Sequence, residues 1–86
     1  EFEPNLVKDM IEALEVFSPS DKVYHHKKTW NDDNGSGHIR ASVFGASLSV
    51  PIVDGKLTLG TWQQIVFLDF DSVPRSRELV AQILGE

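Results

Sequence analysis

The sequence contains no cysteine, which excludes disulfides, thiolate metal ligands and cysteine nucleophiles together. Basic residues are scarce: eight Lys and Arg stand against 13 Asp and Glu, a formal net charge of −5. Such a chain lacks the cationic stripe that neutralises phosphates, so nucleic acid is not an expected partner. No apolar run approaches the roughly 18–20 residues of a membrane-spanning helix, so no membrane partner is expected either. The opening Glu1-Phe2-Glu3-Pro4 has none of the basic residues that begin a secretory signal, and the expected location is cytoplasmic. What is present is ordinary. Hydrophobic residues at 41% and charged residues at 24% of 86 positions argue for one folded domain rather than a disordered chain. A chain of this length buries only about 60% of its unfolded surface, so a bound metal or an oligomer is a natural supplement to the core.

Leu6, Met10, Leu14 and Phe17 recur at helical spacing, Pro4 suits a first turn, and Ser18-Pro19 ends the pattern. This predicts a helix over 4–17. Residues 18–37 are polar and hold two of the three histidines, and a long polar segment in a small domain tends to be functional. His38 to Phe44 fits a short helix capped by Ser36 and stopped at Gly45, and fits a short strand nearly as well. The second half reads as sheet. Alternation over 47–53, the turn signal Asp54-Gly55 and the return 56–59 form a hairpin, with Pro51 confining the first strand to an edge or bulge. The apolar run 64–70 suits a buried strand. Residues 76–84 fit helix and strand alike, with local pattern slightly favouring helix.

The histidines are His25, His26 and His38. Imidazole is both the commonest neutral metal ligand and the usual base near pH 7. Adjacent His25 and His26 do not both face one site, so one of them with His38 is the candidate pair. With Asp32 and Asp33 close in sequence, a His/carboxylate metal site is chemically reasonable. The plainer alternative is three solvated or hydrogen-bonded imidazoles. Asn34-Gly35-Ser36-Gly37 can present backbone N–H groups to an anion, with Arg40 adding charge, or can be a turn and helix cap. Gly60 inside an apolar run points to a bulge or a close approach, Trp62 to core, and Gln63 to a ligand contact.

These residues also form an ordered set. Tyr24-His25-His26, Gly37-His38-Ile39-Arg40-Ala41-Ser42, Gly45-Ala46-Ser47, Pro51, Asp54-Gly55-Lys56-Leu57, Leu59-Gly60-Thr61-Trp62-Gln63-Gln64-Ile65 and Pro74-Arg75 resemble the YjbQ-like family. Some of its members are described as secondary thiamine-phosphate synthases, and the string at 55–65 is its signature. The resemblance implies an α+β fold, an antiparallel sheet curled into a pseudo-barrel with packed helices, assembled as a homotrimer. It implies that residues 1–86 are the C-terminal portion of a longer domain, with opening strands and a further site histidine ahead of Glu1. It makes 76–84 a strand. It assigns His26 and His38 to a pocket for a divalent ion, zinc or magnesium. For the reaction it implies, those two residues and Arg40, which can share the charge of a diphosphate, are the expected catalytic residues. Asn34, Gly35, Ser47 and Gln63 are the expected ligand-binding residues. The implied reaction joins a pyrimidine diphosphate to a thiazole phosphate. The alternative is a metal-dependent protein that binds a phosphorylated metabolite without turnover.

Overall fold

Glu3 starts the first helix, although its side chain is longer than those that usually cap helices. Its carboxylate accepts the free N–H groups of Asn5 (2.9 Å) and Leu6 (2.8 Å), which holds its pKa below the ordinary range. In the computed structural model, which describes all 86 residues, α1 spans Pro4–Phe17, as the periodicity predicts. Ser18 caps its C-terminal end by donating its N–H to the Leu14 carbonyl at 2.7 Å. Two further helices follow, α2 over His26–Trp30 and α3 over Gly35–Phe44. The pair β1, Ile52–Val53, and β2, Lys56–Leu57, forms the only sheet. This mixture of helices and a small antiparallel sheet is an α+β arrangement. No helix is long and apolar enough to cross a membrane.

α2 lies within what the sequence presents as polar loop. It stops at Asn31, which adopts the left-handed conformation (φ 51°) that ends many helices. Helix rather than strand forms at 38–44, and it begins three residues earlier, with Asn34 rather than Ser36 at its cap. The hairpin turns at Asp54-Gly55, where both residues have positive φ (51° and 73°), the backbone a two-residue antiparallel turn requires. Ile52 pairs with Leu57 and Val53 with Lys56.

The strands are shorter than the alternation predicts. Pro51 has no N–H to donate, and its carbonyl takes both the N–H and the hydroxyl of Thr58 at 3.0 Å, closing the ladder there. Gly60 opens a tight turn with Gln63 and is not a bulge. The expected strands at 64–70 and 76–84 are not formed. A strand exists only beside another strand, and from Gln64 to Glu86 no backbone group bonds another backbone group. Apart from the half-buried Phe70, their apolar side chains stay exposed, as does Trp62 at 75%, which the sequence suggests is core.

Burial concentrates at one place. Leu14 is the only large apolar residue inside, and around it Ser18, Gly35, Ser36 and Gly37 are buried. The Ser18 hydroxyl lies 3.1 Å from the Tyr24 hydroxyl and 3.3 Å from the Ser36 carbonyl. The Tyr24 hydroxyl donates to the Pro19 carbonyl at 2.6 Å. The Tyr24 ring lies across Gly35, where an added Cβ would meet Tyr24 Cβ at 2.6 Å and Cγ at 2.7 Å. Because the tyrosine is held at its far end, it cannot swing aside. Gly35→Ala is therefore expected to destabilise the fold by about 1–3 kcal/mol, the usual cost of overpacking. A urea midpoint equal to that of the wild type would show that α3 can shift to admit a methyl group.

Candidate metal centre

The turn between α2 and α3 assembles the site. The Tyr24 and His25 carbonyls accept the N–H groups of Lys27 (3.2 Å) and Lys28 (3.0 Å), which starts α2 and carries His26 on its first turn. Asn31 then redirects the chain, and Asp32 Oδ1 accepts the Asn34 N–H at 2.6 Å. That bond is an Asx turn, in which an aspartate closes its own backbone two residues on. It opens α3 and leaves Oδ2 facing two imidazoles.

His38 Nε2 lies 2.7 Å from Asp32 Oδ2, and His26 Nε2 lies 3.5 Å from the same oxygen. An ionised carboxylate only accepts, so the His38 ring N–H is the donor. The two rings meet edge to face with centroids 4.5 Å apart. One nitrogen from each histidine and one Asp32 oxygen all lie within 4.8 Å of one another. The His38 hydrogen bond is the main influence holding the Asp32 pKa below its ordinary value, followed by the Asn34 N–H, with partial burial opposing both.

Two imidazoles and a carboxylate form a donor set suited to borderline divalent ions such as zinc. Bonds of about 2.0–2.1 Å in a tetrahedral arrangement separate neighbouring donors by about 3.3 Å. The His26–Asp32 separation of 3.5 Å meets that requirement, and the His38–Asp32 separation of 2.7 Å opens by about half an ångström once its proton is replaced. The residues fit. An open cleft of about 400 Å³ lies over the pair, walled by Tyr24, His25, Ile39, Ser42 and Val43. A second cleft of about 220 Å³ reaches Asp32 beside Lys22, Lys27 and Asp33, where Lys27 is paired with Asp33 at 2.6 Å.

The other expected site residues are dispersed. His25 is outside the donor set: its carbonyl helps to start α2, and the residue lines the larger cleft. Asn34 caps α3, and its side chain donates to the Phe70 carbonyl at 2.9 Å. Gly35 is buried under Tyr24. Ser47 is exposed and makes no hydrogen bond, while Gln63 folds back on the Gly60 N–H at 2.7 Å, and neither lines either cleft. Arg40 faces α1, where its Nη2 donates to Glu15 Oε1 at 3.0 Å and to the Ser18 carbonyl at 2.7 Å. Asp32, by contrast, enters the donor set although the sequence does not separate it from Asp33. No spacing signal separates the two, because each aspartate has a backbone N–H two residues on with which to close an Asx turn.

The model of the family described as UPF0047 protein YjbQ-like matches residues 1–86. The chain belongs to this family. It is 42% identical over 84 residues to a UPF0047 protein of Archaeoglobus fulgidus, covering 98% of this chain and 64% of that relative. It is 37% identical over 86 residues to one of Methanothermobacter thermautotrophicus, covering all of this chain and 58% of the relative. To the UPF0047 protein YugU of Bacillus subtilis it is 34% identical over 83 residues, covering 96% and 60%. The chain thus spans about three-fifths of the length of these relatives. No solved structure matches it.

Glu15 shows what Arg40 does in this YjbQ-like chain. The Ser20 N–H, the Ser20 hydroxyl and Arg40, in that order, pull its pKa from 4.5 down to about 2. A carboxylate whose folded pKa is lowered stabilises the fold fully above 4.5 and loses that contribution as pH falls toward 2. Glu15→Gln is expected to lower the melting temperature at pH 7, and the gap from the wild type is expected to close between pH 4.5 and pH 2. A gap that stays constant with pH would mean that the charge of Glu15 contributes nothing.

Proposed function

We propose that His26, Asp32 and His38 hold a divalent metal ion at which a small phosphorylated metabolite binds. We further propose that the resulting reaction is of the thiamine-phosphate synthase type. The observation that carries the reading is the convergence of two imidazole nitrogens and one carboxylate oxygen within 4.8 Å beside an open cleft. In that reaction the C–O bond between the pyrimidine methylene and its diphosphate breaks with the electron pair leaving on the diphosphate. The thiazole nitrogen supplies the pair for the new C–N bond. A divalent ion in this donor set supplies positive charge to the diphosphate oxygens. His26, Asp32 and His38 would supply the three ligand atoms, and Ile39 and Val43 provide an apolar wall for a ring.

One observation favours capture without turnover as a second reading. Arg40, the cation expected to share the charge of a leaving diphosphate, is committed to Glu15 and the Ser18 carbonyl. The wider architecture belongs to the same proposal. Segments 64–70 and 76–84 pair as strands of a pseudo-barrel within a homotrimer. What supports this is their mostly exposed apolar side chains and their backbone free of ladder bonds. A long apolar strand left unpaired is otherwise an aggregation hazard.

The test uses the full-length protein. One zinc ion per chain is expected in titrations, with Asp32→Ala and His38→Ala each weakening it about a hundredfold or more, since even loss of a supporting contact costs 10–100-fold. Thiamine phosphate formed from the two substrates only when metal is present would support the enzyme reading. Metabolite binding without product would leave the capture reading, and wild-type metal affinity in both variants would refute the metal centre.

A further inference from the structure

Ser18 is the most buried polar residue in the molecule, only 2% exposed. It occupies the point where α1, the approach to α2 and the start of α3 meet. The Tyr24 proton is committed to the Pro19 carbonyl at 2.6 Å, so the Ser18 proton is shared between the Tyr24 oxygen at 3.1 Å and the Ser36 carbonyl at 3.3 Å. Each of those two contacts lies two residues ahead of one histidine, Tyr24 ahead of His26 and Ser36 ahead of His38. The Ser18 carbonyl adds a third tie, accepting from Arg40, two residues beyond His38, at 2.7 Å.

We infer that Ser18 is a positioning residue that sets α2 and α3 at the spacing where His26 and His38 both reach Asp32. The consequence for metal affinity rests on the metal-centre reading, and the geometric part stands without an ion. One hydroxyl holds both segments against a common point. Without it, the Tyr24 hydroxyl keeps only its bond to Pro19, and the Ser36 carbonyl keeps its bond within α3 but loses its tie to α1, which frees the α3 start to shift. Shifts of about half an ångström are enough to spoil a ligand set. No hydroxyl elsewhere in the chain ties both helices in this way.

The experiment compares wild type, Ser18→Ala and Thr58→Ala in the full-length protein at one fixed pH. Thr58→Ala loses a hydroxyl-to-carbonyl bond of similar length, 3.0 Å to Pro51, in the hairpin. The metal-free readout is the NMR ring signals of the three histidines. Ser18→Ala is expected to move the His26 and His38 signals and leave His25 nearly in place, while Thr58→Ala moves none. The second readout is Co²⁺ titration followed by visible absorption. Ser18→Ala is expected to weaken Co²⁺ about 10- to 100-fold and alter its spectrum, as loss of a supporting contact does.

If the wild type takes up no Co²⁺ and the ring signals still move as expected, the metal reading falls and the positioning role stands. Unchanged ring signals, or all three moving alike, would overturn the positioning role whatever Co²⁺ does. If Ser18→Ala does not fold, Tyr24→Phe removes the opposite end of the same hydrogen bond, and the same outcomes decide.

Discussion

The hydrogen bonds gathered at the C-terminal end of α1 hold the other elements in place, because the chain has little apolar core to do so. Leu14 alone among the large apolar side chains is buried. Around it, the Ser18 hydroxyl and carbonyl, the Tyr24 hydroxyl, the Ser36 carbonyl and the Arg40 guanidinium form one connected set. A cation at the end of α1 also meets the negative pole of the helix. Such a cluster is directional where apolar packing is not. It fixes how α1, α2 and α3 lie, and its stability depends on all members being present. One atom falls outside the scheme: Arg40 Nε is buried with no partner.

The second half of the chain is organised differently. Beyond the hairpin it forms no further helix or strand, and its side-chain bonds are local ones such as those of Asp71 with Arg75 and Arg77. Exposed pairs of this kind contribute little stability. Phe70 is the exception, since its carbonyl accepts the Asn34 amide and its ring lies 5.7 Å from that of Phe44. These contacts dock this segment against α3, the helix that carries His38.

The elements that follow local rules are the ones legible in the sequence. α1 shows its period, its proline start and its proline stop, and the Asp54-Gly55 turn needs only two residues to declare itself. α2 has five residues and no apolar stripe, so nothing in its pattern marks it. Segments 64–70 and 76–84 form no strand here for a different reason, because pairing belongs to the neighbour as much as to the segment. The same distinction applies to the site. Spacing alone leaves His25 and His26 equivalent, and the resemblance to the family singles out the one the structure brings to His38. The direction of Arg40 follows once helix is assigned from Gly35. Two residues at about 100° each place it on the face opposite His38. Ser18, one serine in a polar stretch, gives no sequence signal of its role as a hub.

In the proposed metal centre, Asp32 Oδ2 brings two imidazoles to one ion. Anomalous diffraction at the zinc edge from crystals of the full-length protein tests it most directly. The account predicts one peak about 2.0–2.2 Å from each of His26 Nε2, Asp32 Oδ2 and His38 Nε2. A peak on His25 or Asp33, or zinc-soaked crystals with no peak at the cluster, would contradict it.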